Sequence, residues 1–239
     1  MAGDWRVDIQ FFLLHRLEFI EQFYKNSAAP FVERKRKIEA EEEPFVPPYS
    51  EDCEPPFLAE WIEADESLHV LGQSCISMLA ASFHLYLKTW ERQIGIPIDE
   101  SLRPCFKKNG WFHGYKTYFA ERLGIRFEDS PCNLSLLEEV LLARNRVQHP
   151  ESITTHSTHY SDSDLKKQPR PFFVDEKEFD PFADVDEGVR SWLMPPAVHV
   201  TAEKLLSALS EVARFTKWLE DLDFHPRRSS PNLARQKSF

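Results

Sequence analysis

Apolar residues return along this chain at steps of three and four, the spacing that lines one side of a helix. Trp5, Ile9, Phe12, Leu13, Leu17, Ile20, Phe23 and Tyr24 predict an amphipathic packing helix running to about Asn26. After it, "ERKRKIEAEEE" (33–43) mixes both charge signs and "PFVPPYSEDCEPPF" (44–57) is rich in proline. A solvated turn of helix followed by an extended linker is expected there. From Leu58 to Ile94 there is no proline, and Trp61, Leu68, Leu71, Cys75, Met78, Leu79, Ser82, Leu85, Tyr86 and Trp90 keep helical spacing. That predicts one long helix, or two joined near Gly72. Gly72, Ser74, Ala80 and Ala81 are small enough to admit another backbone, which makes this helix the spine of a bundle. Gly95 and Pro97 end it.

Downstream, a basic loop around "KKNG" (107–110) leads to "WFHGYKTYFAERLG" (111–124), a short aromatic helix closed by Gly124. Ser135 stands three residues before Glu138, a capping-box spacing that starts a helix through Leu136, Leu137, Val140 and Leu141. Pro150 stops that helix after His149, because the residue before a proline is pushed out of helical geometry. Glu151 to Arg170 is polar and aperiodic, while Phe172 to Val174 and Ala197 to Val200 have the length of strands in a small ribbon. The fifty residues between helices read as a surface insertion, from about 151 to 200. Thr201 caps a final helix that buries Leu205, Leu206, Leu209, Val212, Phe215, Trp218, Leu219 and Leu222. The tail from His225 to Phe239 holds Arg227, Arg228, Arg235 and Lys237 without an acid, and a disordered, dispensable tail is expected over 223–239.

Composition narrows the picture to an all-α chain. The 239 residues suffice for one large core, and 42% hydrophobic residues, 13% aromatics and only 7 glycines favour packed helices over turn-rich β-structure. The division expected is an N-terminal helix, charged segment and linker (1–56), a helical domain (57–222) and the tail. A net charge of −10 argues against coating nucleic acid non-specifically, which needs many cations on phosphate. A local RNA site stays open, because Arg103, Lys107, Lys108, Lys116, Arg122 and Arg126 face only Glu121 between 101 and 126. Trp111, Phe112, Tyr115, Tyr118 and Phe119 interleave with them and suit either base stacking or burial on a helix.

Cys53, Cys75, Cys105 and Cys132 are scattered with no CxxC pair, so neither a zinc knuckle nor a disulfide framework is signalled. His156 and His159 lack further ligands, and no metal or cofactor is expected. The N-terminal apolar patch Phe11 to Leu14 is too short for a leader or a membrane span, so a soluble, cytoplasmic protein without membrane attachment is the expectation.

The candidate chemistry lies in "LLARNRVQHP" (141–150). Arg144 continues the apolar stripe of Leu137, Val140 and Leu141, where a charge has to be paired or used. Asn145 and His149, four apart, stack on an adjoining face, and the helix end frees His149 to turn toward Arg144. On spacing alone two readings are open. Basic residues at a helix C-terminus satisfy the last carbonyls and the macrodipole, or the three side chains form one polar pocket. Arg146 is either a solvated charge or, with Lys107, Lys108 and Lys116, a contact to RNA phosphate. Asp65 and Glu66, at the start of the spine helix, suit the dipole and are left outside the site.

"RNRVQH", Arg144 to His149, resembles the Arg-x4-His signature of HEPN domains (higher eukaryotes and prokaryotes nucleotide-binding), with Asn145 in the polar position after the arginine. The resemblance covers about Phe57 to Leu222 and implies an HEPN-like helical bundle, with an N-terminal helical extension and a loop or short β-ribbon insertion before the last helix. It further implies a metal-independent endoribonuclease acting as a homodimer, in a toxin–antitoxin, defence or RNA-processing role, with an antitoxin or nucleotidyltransferase as a possible protein partner. His149 would move a proton as a ribose 2′-hydroxyl attacks the adjacent phosphate, Arg144 would stabilise the phosphorane, and Asn145 would orient the histidine or a phosphate oxygen. A non-catalytic dimerising or RNA-binding module of the same fold is the alternative, and an unrelated helical adaptor a third reading.

Overall fold

The computed structural model describes residues 8–49, 55–150, 158–175 and 196–222. Trp5, Cys53, His156, part of the insertion and the tail from 223 lie outside the described residues. The described residues are mostly helical: α1 (Ile9–Glu39), α2 (Leu58–Ile94), α3 (Arg103–Asn109), α4 (Trp111–Tyr118), α5 (Leu134–Gln148), α6 (Asp162–Lys167) and α7 (Ala202–Asp221).

The spine is a single helix. Gly72 does not break α2 but lets the chain before α7 press against it: a Cβ on Gly72 would stand 2.4 Å from the Val200 carbonyl oxygen. One face of α2 is buried from Ala64 to Trp90, with Cys75, Ile76, Leu79, Phe83 and Leu87 sealed from solvent. Against it pack α1, α5 and α7. Gly95, in the left-handed region at φ 72°, ends the helix with its N–H on the Glu91 carbonyl. One stretch of α2 is long and apolar enough to cross a membrane by composition, and 56% of it is buried inside the bundle. The core helix of a soluble protein has the same character.

Helix α1 departs from its predicted course in two ways. It continues past Asn26, through Pro30 on its exposed side, to Glu39. The charged segment stays helical because it lies along the start of α2. Lys35 pairs with Asp65 at 2.5 Å and covers the Trp61 ring, whose Nε1 donates to Glu39 at 2.9 Å. Tertiary contact therefore extends a helix that the local pattern would have ended. The buried stripe is Ile9, Leu13, Leu17, Ile20, Tyr24 and Ala28, whereas Phe12 and Phe23 are 57% and 39% exposed. Leu13 and Phe12 stand about 100° apart on a helix of 3.6 residues per turn, and the core accepts the first.

The expected basic loop is helix α3, started with Pro104 in its first turn and followed by Gly110 at φ 84°. A side chain at Gly114 would collide with the Phe106 ring, so glycine lets α4 close onto α3. Beyond α4 a π turn, Phe119–Leu123, ends at Gly124 with φ 69° as anticipated. Asn133, not Ser135, caps α5: its side chain accepts from the Leu136 N–H at 3.1 Å, while Ser135 accepts from Gln168. Asn is as good a cap as Ser and stands in the right position two residues earlier.

The predicted β-ribbon is not present among the described residues. Phe172–Val174 and Ala197–Val200 do meet, through a His199 N–H to Phe173 carbonyl bond of 2.9 Å, and one isolated bridge joins His159 to Ala197. These bonds are too few for a ladder. The segments act as apolar plugs, with Tyr160, Phe173, Val174, Val198 and Val200 buried. Thr201 caps α7 as expected and Leu205, Leu209, Val212, Phe215 and Leu219 are buried, while Leu206 and Leu222 remain more than a third exposed.

The register of α1 is directly testable. Leu13→Ala, at a 2% exposed position, should cost about 2–5 kcal/mol of unfolding free energy, and Phe12→Ala should change it by less than about 0.5 kcal/mol. Urea titrations that show equal losses for the two would contradict this packing.

Candidate functional site

Helix α5 presents three faces, and each has a different fate. Leu136, Leu137, Val140 and Ala143 enter the core. The face of Ser135, Glu139 and Arg146 is covered by the segment 158–175. Arg146 pairs with Asp164 at 2.5 Å, and the nearly buried Asp164 also closes a capping box with Ser161 at the start of α6. Glu139 accepts the Phe172 N–H, and burial raises its pKa against the opposing effects of that bond and of Lys204. Gln168 donates to Ser135 at 2.9 Å. The segment that follows the motif thus folds back onto the motif's own helix.

The third face carries the sequence motif. Arg144 is half-buried at the edge of the apolar stripe, and its Nη1 donates to the Asn145 Oδ1 at 2.9 Å. His149 is exposed and leaves the helix at φ −128°, ψ 64°, its backbone N–H on the Arg146 carbonyl at 3.1 Å. No hydrogen bond joins its ring to Arg144 or Asn145. Of the three motif residues the structure therefore joins two and leaves His149 at the helix end. Among the described residues no carboxylate pairs with Arg144, so its guanidinium keeps donors for a ligand.

The structure brings to Arg144 a residue that sequence reasoning did not single out. His84, on α2, lies within reach of the Arg144 charge and of Lys88, one turn further along the same helix. Its ring stacks flat on Trp111 of α4, centroids 4.4 Å apart and planes 11° from parallel, and meets Tyr115 edge-on at 6.2 Å. Burial, then Lys88 and Arg144, hold its pKa below the usual imidazole range. The available signal was the spacing His84-x3-Lys88 on the non-apolar edge of the spine helix.

The other cations of the sequence reading are placed separately. Lys107 and Lys108 are exposed on α3, beside Arg103 and Glu100 at a shallow groove. Lys116 pairs with Glu128 at 2.9 Å, and Arg122 pairs with Asp99. The aromatics of α4 and of the π turn after it are used for packing: Phe112, Tyr115, Tyr118 and Phe119 are buried, and Trp111 retains a partly open surface. His159 takes part in the bridge to Ala197, and among the described residues no group of three His, Cys, Asp or Glu side chains is arranged to hold a metal ion.

The two arginines of "RNR" should separate in a stability assay. Arg146→Ala leaves the Asp164 carboxylate, whose side chain is 5% exposed, without this cation, and should cost about 1–3 kcal/mol. Asn145→Ala, on the exposed side, should cost less than about 0.5 kcal/mol. Chemical denaturation reads both, and an Arg146 variant as stable as the parent would remove the pair's structural role.

Comparison with models of protein families, with curated proteins and with solved structures finds no match to this chain, so the reading of its function rests on the residues described above.

Proposed function

We propose that this chain is a metal-independent endoribonuclease of the HEPN type, a cytoplasmic homodimer working in a toxin, defence or RNA-processing role. The single observation that carries the reading is Arg144, held by Asn145 at 2.9 Å with no carboxylate partner among the described residues, on the helix that ends in an exposed His149. A planar guanidinium free to fork onto two oxygens suits a phosphodiester as its charge grows in the transition state. An imidazole near neutrality suits the proton transfers.

The role of each residue follows from this placement. His149 accepts the 2′-hydroxyl proton or returns one to the departing 5′-oxygen, the 2′-oxygen bonds to phosphorus, and the P–O5′ bond breaks to leave a 2′,3′-cyclic phosphate. Arg144 holds the non-bridging oxygens, and Asn145 fixes the guanidinium. One imidazole does not serve as base and acid at once, and a second copy of the chain supplies another His149. The homodimer rests on this need. Arg144's own hydrogen-bonding need is met by Asn145 within the chain.

The separation of His149 from the Arg144–Asn145 pair favours a second reading, an RNA-holding module of the same type without cleavage. Purified protein incubated with structured and unstructured RNAs distinguishes the two. Cleavage should leave cyclic phosphate ends and persist in a strong chelator, and His149→Ala should lower it by about 10²–10⁴-fold, with Arg144→Ala similar in size. Equal cleavage by the His149 variant, or loss only on chelation, would end the nuclease reading, and binding without cleavage would establish the module.

A further inference from the structure

The chain carries more acids than bases, and several cations between its elements are paired: Lys35 with Asp65, Lys116 with Glu128, Arg122 with Asp99 and Arg146 with Asp164. Lys88 and Arg144 are not. Among the described residues neither has a carboxylate partner, although both act on the same imidazole, that of His84. Two like charges beside a third ionisable group repel one another, and an anion placed among them relieves that repulsion.

The groups facing His84 come from each element packed around it. Lys88 lies one turn along α2, the Trp111 and Tyr115 rings come from α4, and Arg144 comes from α5. Among the described residues the charges that act on His84 are Lys88 and Arg144, and Glu91, three residues beyond Lys88 on α2, accepts the Tyr115 hydroxyl at 3.1 Å. Trp111 fixes the plane of the imidazole, so the ring offers its edge rather than its face. Arg144 is fixed in turn by Asn145. The result is a trio of donors from two helices, α2 and α5, with the α4 rings beside it.

We propose that His84, Lys88 and Arg144 form a phosphate-binding pocket for the backbone phosphodiester of RNA, with Trp111 as the wall that orients His84. This rests on the nuclease reading for the identity of the RNA, but the pocket's phosphate chemistry does not require cleavage. Without an anion, burial and then the two cations hold the His84 imidazole below its ordinary pKa range. A bound phosphodiester adds a negative charge beside the ring and favours its protonated form, so binding draws one proton from solvent onto His84. Affinity therefore rises as pH falls through the imidazole range, about 6.5 downward.

The test uses the full chain and a short single-stranded DNA oligonucleotide, which has the phosphodiester but no 2′-hydroxyl and so binds without being cleaved. NMR titration of the His84 ring should show a low pKa in the free protein that rises on adding the oligonucleotide. Lys88→Gln, an exposed change that leaves the core untouched, should weaken binding about tenfold, the size of one charge-assisted hydrogen bond. It should also reduce the salt dependence by about 0.7 in logarithmic slope, one phosphate contact to a single strand. His84→Gln should abolish the pH dependence of binding while melting like the parent. Inorganic phosphate as a second probe separates sources: a His84 response to free phosphate equal to that of the oligonucleotide would overturn the backbone assignment.

A His84 resonance indifferent to the oligonucleotide, or unchanged binding by Lys88→Gln, would overturn the pocket. The nuclease reading fails separately: no RNA cleavage together with a responding His84 leaves the pocket standing and removes the enzyme. Cleavage that is indifferent to Lys88 does the reverse.

Discussion

The burial of one face of α2 governs this structure. Thirteen residues of that helix, from Ala64 to Trp90, are buried, and at about 1.5–3 kcal/mol for each large apolar side chain removed from water no other element contributes as much. Helices α1, α5 and α7 exist in their observed positions because they cover it. Even the irregular chain before α7 is drawn in, and the absence of a side chain at Gly72 sets how near Val200 comes.

The candidate site is a by-product of that arrangement. With the apolar face of α2 turned inward, the edge bearing His84 and Lys88 is left at the rim of the bundle, where α4 and α5 reach it. Trp111 and Arg144 are then delivered to the same place from segments that are 27 and 60 residues further along the chain. Their side chains are placed by a ring stack at 4.4 Å and a hydrogen bond at 2.9 Å. A site built this way is rigid on its apolar side and accessible on the other, which is the arrangement expected of a binding surface on a packed scaffold.

Charges divide into two populations in the same structure. Arg146 and Lys35 join separate segments through acids that are partly or largely buried, and their removal would expose the cost of an unpaired carboxylate. Among the described residues, Lys88 and Arg144 pair with no acid. Neighbouring positions in one motif, Arg144 and Arg146, therefore differ in purpose because they are two residues apart on α5, about 200° around the helix.

Much of the fold was legible in the chain itself. Period and punctuation located the spine helix, its end at Gly95, the aromatic helix closed by Gly124, the stop at Pro150 and the Thr201 cap, since each depends on local backbone chemistry. Arg144 at the edge of the apolar stripe was visible from spacing, whereas its bond to Asn145 was not, since spacing stacked Asn145 with His149. What local pattern did not contain was decided by tertiary contact. The charged end of α1 stays helical because α2 runs beside it, and the expected ribbon segments are used as apolar plugs rather than strands. Arg146 is taken up by an acid eighteen residues away. His84 joins Arg144 only when α2 and α5 pack, because helical periodicity says which face is apolar but not which neighbour will cover its edge.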